Sequence, residues 1–84
     1  MAKIEIYTTQ WCPYCVRAKA LLKELNQEFI ELNIETEPSK RTEMEQRVPG
    51  ISSVPQIFID NKHIGGCDEL YALAASDQLD TLLQ

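Results

Sequence analysis

The feature that most constrains this chain of 84 residues is a pair of cysteines, Cys12 and Cys15, at the point where an apolar strand-like run changes to a helical pattern. If the helix begins after Cys12, this residue is the N-cap and Pro13 is the first helical residue, a position that favours proline. The free N–H groups of the first turn then point at the Cys12 sulfur, and the helix dipole favours a thiolate there. Cysteines in such positions have pKa values of roughly 3.5–7.5 instead of about 8.5, so the sequence predicts a reactive thiolate.

The spacing of the two cysteines predicts the second half of a redox reaction. Cys15 is three residues after the cap, where a side chain reaches back toward the cap residue. Two sulfurs in these positions can approach to bonding distance. We therefore expect Cys12 to be the exposed attacking thiol and Cys15 to be the more buried resolving thiol, which releases a mixed disulfide formed on Cys12.

A Cys-x-x-Cys pair has other interpretations. It is also half of a zinc site, and His63 and Cys67 could complete a set of four ligands with Cys12 and Cys15. The second pair does not form a tight zinc knuckle, however, and Pro13 suits a strand-to-helix corner better. A purely structural disulfide is disfavoured because the loop that it closes is small and restricts the unfolded chain little. We therefore expect no metal.

Length, charge and cysteine count narrow the class of protein. Eighty-four residues make one small domain, here 1–84, and we expect a monomer. The formal net charge of −5 argues against a surface that binds nucleic acid or an anionic membrane. The chain begins without a signal-peptide pattern and contains no run that could span a membrane. Three cysteines, an odd number, indicate a reducing, cytoplasmic compartment instead of a secreted disulfide framework.

Hydrophobic periodicity predicts the order βαβα followed by ββα. The strands are expected at 3–8, 29–34, 56–59 and 63–64, with a turn at 60–62. The helices are expected after Cys12, over roughly 39–47, from Cys67, and in a last short stretch from Asp77. The first helix lies between two strands, so these strands should be parallel with a right-handed crossover. Cys12 then lies at the carboxyl end of a strand, where such units bind ligands.

Three motifs in this order resemble the small bacterial dithiol glutaredoxins of the thioredoxin-like superfamily. They are Cys12-Pro13-Tyr14-Cys15, preceded by Thr8, then Val54-Pro55-Gln56-Ile57-Phe58-Ile59, and then Gly65-Gly66-Cys67-Asp68-Glu69-Leu70. The resemblance covers essentially the whole chain. It implies an α/β thioredoxin-like fold with a four-stranded mixed sheet and helices on both faces. It also implies glutathione as co-substrate, no tightly bound cofactor, and a cis peptide bond before Pro55.

The resemblance also implies the residues that bind glutathione. The backbone of Val54, turned outward by the cis bond before Pro55, would pair with a cysteinyl peptide as an added strand does. The N–H groups of Cys67 and Asp68 suit the γ-glutamyl carboxylate, and the Asp68 carboxylate suits the ammonium group. Tyr14 would line the groove.

Several of these assignments have structural alternatives. Arg41 on the second helix is the candidate for the glycyl carboxylate, or else a solvated arginine. Asp68 could simply be a favourable first-turn acid, and we assign the capping role to Glu69. Cys67 is interpreted as a helix cap that can oxidise, and His63 as an exposed, inert histidine.

Two departures from the family pattern concern the neighbourhood of the nucleophile. Thr9 stands where the family usually has a lysine, three residues before Cys12, which removes a positive charge and a contact to the glycyl carboxylate. Trp11 directly precedes the nucleophile. It either packs against the flank of the domain or forms an apolar lip of the groove. A milder change is Ser53, which replaces the threonine common before Val-Pro.

The sequence therefore predicts an enzyme, a glutathione-dependent thiol–disulfide oxidoreductase that reduces glutathione mixed disulfides and protein disulfides through Cys12 and Cys15. Its expected partners are glutathione and disulfide-containing or glutathionylated proteins, with ribonucleotide reductase as a family-level expectation. The main alternative is a glutaredoxin-like redoxin reduced by thioredoxin reductase, favoured by Thr9 and Trp11. A glutathione-ligated iron–sulfur carrier is a lower alternative, disfavoured by Pro13, and the zinc-binding module is the fourth.

Overall fold

A computed structural model describes residues 2–83 and contains four strands and four helices in the predicted order. The elements are β1 (Ile4–Thr8), α1 (Pro13–Glu24), β2 (Ile30–Asn33), α2 (Pro38–Arg47), β3 (Gln56–Ile59), β4 (Lys62–Gly65), α3 (Cys67–Ala75) and α4 (Gln78–Leu83). Within residues 2–83, no helix has the length and apolar character needed to cross a bilayer.

The four strands form one mixed sheet in the order β2-β1-β3-β4. β1 pairs in parallel with β2, as the intervening helix predicts, and antiparallel with β3. β3 and β4 form an antiparallel pair across a tight turn. Asp60 and Asn61 have φ angles of 50° and 68° in this turn, a left-handed conformation that these two residue types tolerate. The predicted thioredoxin-like fold is confirmed.

Each face of the sheet has its own hydrophobic core, because β1 and β3 are buried on both sides. One core joins Ile6 and Ile57 to Ala18 and Leu22 of α1 and Leu70 of α3. The other lies under α2 and contains Tyr7, Ile34, Met44, Val48 and Phe58. All five residues of β1 are buried, so the strand that leads to the cysteine pair is held firmly in the sheet.

The edge strand β2 is less buried than its apolar residues suggest. Ile30 is 48% exposed, because β2 pairs only with β1 and ends at one side of the sheet. The strand is also shorter than the predicted 29–34. Its polar residue Glu31 accepts hydrogen bonds from Thr8 (2.8 Å) and Lys19 (2.9 Å), which tie the edge to β1 and α1. These bonds outweigh the effect of burial and lower the pKa of Glu31.

A polar network lies between the sheet and α2, beside the second core. The guanidinium of Arg47 donates to both carboxylate oxygens of Glu5, at 3.2 and 3.1 Å, and to the Tyr7 hydroxyl at 2.9 Å. Its carbon lies 3.7 Å from the centre of the Phe58 ring. Tyr7 in turn donates to Glu43 through a short hydrogen bond. This network fixes the carboxyl end of α2 against β1 and β3.

The Tyr7 network predicts an alkaline effect on stability. Burial, together with the hydrogen bond to Glu43, raises the pKa of Tyr7 to about 12 from 10.0. Because the folded state favours the protonated phenol, this contribution to stability is complete below pH 10 and is lost as the pH rises from 10 to about 12. Spectrophotometric titration of tyrosinate should show one step near pH 12 that disappears in Tyr7→Phe.

Tyr71→Phe is the matched control for this titration, since Tyr71 is partly exposed on α3. It should keep the step near pH 12. The assignment is wrong if that step survives in Tyr7→Phe and disappears in the control.

Candidate active site

The cysteine pair lies at the junction of β1 and α1, as predicted. Cys12 is the N-cap of α1 and Pro13 occupies the first helical position. The backbone N–H of Cys15 donates to the Cys12 sulfur at an N···S distance of 3.0 Å. The two Cα atoms are 5.1 Å apart and the sulfurs are joined in a disulfide. The local sequence therefore places a redox-capable pair at a helix N-terminus, where a thiolate is stabilised.

Cys15 is buried, as predicted, whereas Cys12 is less accessible than the exposed position that was expected. Cys12 is 9% exposed and Cys15 is 1% exposed. Cys15 lies inside the first turn of α1, whereas Cys12 is its N-cap. Access to the pair is therefore through the Cys12 sulfur.

The opposite wall beside Cys12 is the loop that leads into β3. The Val54–Pro55 peptide bond is cis, as the resemblance implied. The Val54 carbonyl oxygen lies 3.8 Å from the Cys12 sulfur. In the disulfide form the sulfur carries no hydrogen, so this is a van der Waals contact. It puts the backbone of residue 54 next to the reacting atom.

A groove of about 560 Å³ runs from this loop to the start of α3. Five of the predicted glutathione-binding residues line it, namely Tyr14, Val54, Pro55, Cys67 and Asp68. Arg41 is exposed on α2 and is not among the lining residues. The lining contains two carboxylates, Asp68 and Glu69, but neither a lysine nor an arginine.

The start of α3 forms one end of the groove. Gly66 is the N-cap, and its N–H donates to the Glu69 carboxylate at 2.6 Å, which confirms the capping role of Glu69. Cys67 is the first helical residue, so the expectation that it is the cap was wrong by one position. Helix geometry leaves the N–H groups of the first turn without partners inside the helix. Two residues of this turn, Cys67 and Asp68, line the groove.

Cys67 has the surroundings of a structural thiol. It is 4% exposed and belongs to the first core. Burial raises the pKa of this thiol, and the nearby carboxylates of Asp68 and Glu69 raise it further, against the lowering effect of Arg17. The Cys67 thiol is therefore held in the neutral form, whereas the helix N-terminus at Cys12 favours a thiolate.

Exposed aromatic residues surround the approach to Cys12. Trp11 is 85% exposed, so it does not pack against the flank of the domain, and it is not among the residues that line the groove. Tyr14 is 54% exposed, which agrees with a role in the groove. The Arg17 guanidinium lies 5.9 Å from the Tyr14 ring centre and 5.2 Å from that of Tyr71.

Gln56 and His63 are among the lining residues that sequence reasoning missed. His63 is exposed, as expected, but its Nε2 lies 2.7 Å from the Gln56 Oε1 and its ring packs on Phe58. The available signal was a polar residue directly after Pro55 in an otherwise apolar strand. Three residues of the zinc alternative have other partners in this structure, since Cys12 and Cys15 are joined in a disulfide and His63 is hydrogen-bonded to Gln56. Among residues 2–83, His, Cys, Asp and Glu side chains form no group of three that could hold a metal.

The comparisons with known proteins agree with this geometry. The glutaredoxin family model matches residues 4–64. The chain is 57% identical to glutaredoxin 3 of Escherichia coli strain K12 over 84 residues, which cover 100% of both chains. The solution structure of a glutaredoxin from Brucella melitensis is 49% identical, with a TM-score of 0.84 over 99% of this chain and 89% of that one. A crystal structure of the buckwheat glutaredoxin–glutathione complex is 27% identical, with a TM-score of 0.86 over 98% and 76% of the two chains.

The thioredoxin-like sheet and the Cys12–Cys15 pair at the start of α1 define a thiol–disulfide oxidoreductase. Within that class, the chain belongs to the glutaredoxin family. It is accordingly a glutathione-dependent enzyme.

Proposed function

We propose that Cys12 is the nucleophile of this glutaredoxin and Cys15 its resolving thiol. The observation that carries the proposal is the N–H of Cys15, 3.0 Å from the Cys12 sulfur at the N-terminus of α1. After reduction of the disulfide, this donor and the helix dipole favour the thiolate of Cys12. Cys15, at 1% exposure, is out of reach of an external disulfide until a substrate is linked to Cys12.

With a glutathione mixed disulfide, Cys12 is sufficient for turnover. Its thiolate attacks the glutathione sulfur, the substrate sulfur leaves as a thiolate and takes up a proton, and Cys12 becomes glutathionylated. A second glutathione, as thiolate, attacks the sulfur of the bound glutathione. This step releases glutathione disulfide and restores the Cys12 thiolate.

With a protein disulfide, both cysteines are used. Cys12 attacks one substrate sulfur, and Cys15 then attacks the Cys12 sulfur of the mixed disulfide. The substrate leaves as a dithiol and the enzyme is left with the Cys12–Cys15 bond. Two glutathione molecules reduce this bond and form glutathione disulfide. The identity of the protein substrate, including ribonucleotide reductase, stays a prediction, as do the monomeric state and the cytoplasmic location.

Glutathione is proposed to lie in the groove between the Val54 loop and α3. The Val54 backbone beside the Cys12 sulfur suits the cysteinyl part of the tripeptide. The first-turn N–H groups at Cys67 and Asp68 suit the γ-glutamyl carboxylate, and the Asp68 carboxylate suits the ammonium group. Tyr14 would cover the peptide from the side of α1. The glycyl carboxylate is assigned to Arg41, which would have to reach the groove from α2.

Two features of the site favour the alternative electron donor, thioredoxin reductase. The groove lining has no lysine or arginine, and Thr9 stands at the position of the family lysine. Trp11, at 85% exposure, offers an apolar surface beside Cys12. Both features suit reduction by another protein, thioredoxin reductase, in place of reduction by glutathione.

Steady-state turnover with each donor tests the proposed function. We expect NADPH-coupled reduction of a small glutathione mixed disulfide with glutathione and glutathione reductase, and none with thioredoxin reductase alone. In Thr9→Lys, the KM for the mixed disulfide should fall about fivefold, since an exposed ion pair is worth up to ~1 kcal/mol. Thr9→Gln adds length without charge and should leave the KM unchanged. A wild type that turns over only with thioredoxin reductase would overturn the proposal.

A further inference from the structure

Gln56, the first residue of β3, is a buried amide whose two ends are both hydrogen-bonded. The residue is 5% exposed. Its Oε1 lies 2.7 Å from the His63 Nε2, and its Nε2 donates to the Ser53 carbonyl oxygen at 3.0 Å. A second, longer contact of 3.4 Å joins the same Nε2 to the Ser53 hydroxyl. The amide therefore bridges the edge strand β4 and the loop before β3.

Only one orientation of the Gln56 amide satisfies both hydrogen bonds. If the Gln56 amide were rotated by half a turn, its oxygen would face the Ser53 carbonyl oxygen, and two acceptors would repel each other. The amide nitrogen must therefore face Ser53 and the amide oxygen must face His63. Because an amide oxygen only accepts hydrogen bonds, the Nε2 of His63 must carry a hydrogen and donate it.

The loop held by this bridge is the wall of the active site beside Cys12. Ser53 directly precedes Val54, whose carbonyl oxygen lies 3.8 Å from the Cys12 sulfur. The next backbone hydrogen bond on the N-terminal side of the loop joins the Ile51 N–H to the Val48 carbonyl oxygen at 3.3 Å. The side chain of Gln56 is thus a direct connection between residue 53 and the sheet.

We propose that His63 and Gln56 are positioning residues for substrate binding: His63 orients the Gln56 amide, which holds Ser53 and so sets the place of the Val54 backbone next to Cys12. The inference rests on the proposed function in one respect, namely that the substrate peptide pairs with Val54. Neither residue exchanges electrons or protons in the reaction. Their loss should weaken binding of glutathione mixed disulfides without changing the chemistry of the Cys12 thiolate.

The first test replaces the exposed partner, so that folding is preserved. His63→Phe keeps an aromatic ring against Phe58 but removes the N–H donor, whereas His63→Gln restores a donor. We expect the KM for a glutathione mixed disulfide to rise about fivefold in His63→Phe, the effect of one ordinary hydrogen bond. The kcat and the rate of Cys12 alkylation by iodoacetamide should not change. His63→Gln should return the KM to within about twofold of wild type, because its amide can make the same bond.

A double-mutant cycle separates positioning from direct contact with the substrate. Gln56→Leu fills the same space without polar atoms. If His63 acts through Gln56, then His63→Phe should add nothing to the KM of Gln56→Leu. Additive effects on the KM would show that His63 contacts the substrate itself and would overturn the proposal.

A spectroscopic readout keeps the proposal testable if Gln56→Leu does not fold. In His63→Phe, the amide resonances of Ser53 and Val54 should shift in a two-dimensional ¹H–¹⁵N spectrum. Lys62→Ala, a neighbouring change on β4, should leave them in place. Unshifted resonances in His63→Phe would overturn the proposal. A wild type without glutathione-dependent turnover would instead remove the proposed function, so the two failures are distinguishable.

Discussion

Cys12→Ser is expected to reduce turnover of a glutathione mixed disulfide to the rate of the uncatalysed exchange. A serine hydroxyl does not ionise near neutral pH, and the structure offers it no general base at this position, since the atoms near the Cys12 sulfur are a backbone N–H and a backbone carbonyl oxygen. The 4% exposed Cys67 cannot replace the lost thiol, because its pKa is raised by burial. NADPH consumption coupled to glutathione reductase measures the loss.

Cys15→Ser is the matched control, and the two substrate classes should separate in it. Serine keeps the backbone N–H that donates to the Cys12 sulfur. Turnover of the mixed disulfide should therefore stay within about fivefold of wild type, since no more than one ordinary interaction of ~1 kcal/mol changes at Cys12. Reduction of a protein disulfide should be lost, because the resolving thiol is absent. A Cys15→Ser variant as inactive as Cys12→Ser on both substrates would contradict the assigned roles.

Arg47→Ala is expected to cause the largest loss of stability among single changes to the polar network. It leaves the Glu5 carboxylate, whose side chain is 11% exposed, without its partner beside β1. It also removes the donor to Tyr7 and the contact with Phe58. Breaking a largely buried ion pair by removing one partner costs about 3–5 kcal/mol. For a domain of this size, in which 1 kcal/mol shifts the Tm by about 4–8 °C, that corresponds to a fall in Tm of at least about 12 °C, measurable by circular dichroism.

Arg41→Ala on the same helix is the control for this experiment. Arg41 is exposed, and none of the side-chain hydrogen bonds or ion pairs among residues 2–83 involves it. Its loss should change the free energy of unfolding by no more than about 0.5 kcal/mol. Equal losses in the two variants would show that the bonds of Arg47 do not determine stability. The control also tests the assignment of Arg41 to the glycyl carboxylate, which predicts a higher KM for the mixed disulfide.

Local signals were sufficient to predict the cysteine pair and the element order. Pro13 after a cysteine at a strand end specifies a helix start, and the β1–α1–β2 order specifies parallel strands. The cis bond at Pro55 is different, since local sequence favours trans by a wide margin and only the family resemblance predicted cis. The cis bond found in the structure agrees with the family motif and not with the local preference for trans.

Sequence reasoning failed where a residue's role depends on partners from distant parts of the chain. His63 was predicted to be inert because nothing near it in the sequence suggests a partner, yet strand pairing brings its ring to Gln56 and Phe58. Nothing in the charged sequence around Arg47 indicates that α2 places it over Phe58 and against Glu5. Trp11 could not be assigned from the sequence, because an aromatic residue beside a helix start can face either way. These outcomes depend on tertiary contacts that periodicity does not encode.

The two sides of the active site are supported in very different ways. Cys12 follows β1, a central strand buried on both faces, whereas Val54 lies in a loop that packs against the edge of the second core and is hydrogen-bonded through the Gln56 side-chain amide. Amide hydrogen exchange should therefore be slowest in β1 and markedly faster in the loop. In a domain built in this way, a substitution at Gln56 or His63 is expected to move the facing wall and to leave the attacking sulfur in place. Substrate binding and thiolate chemistry are thus open to change by substitution in separate parts of one small domain.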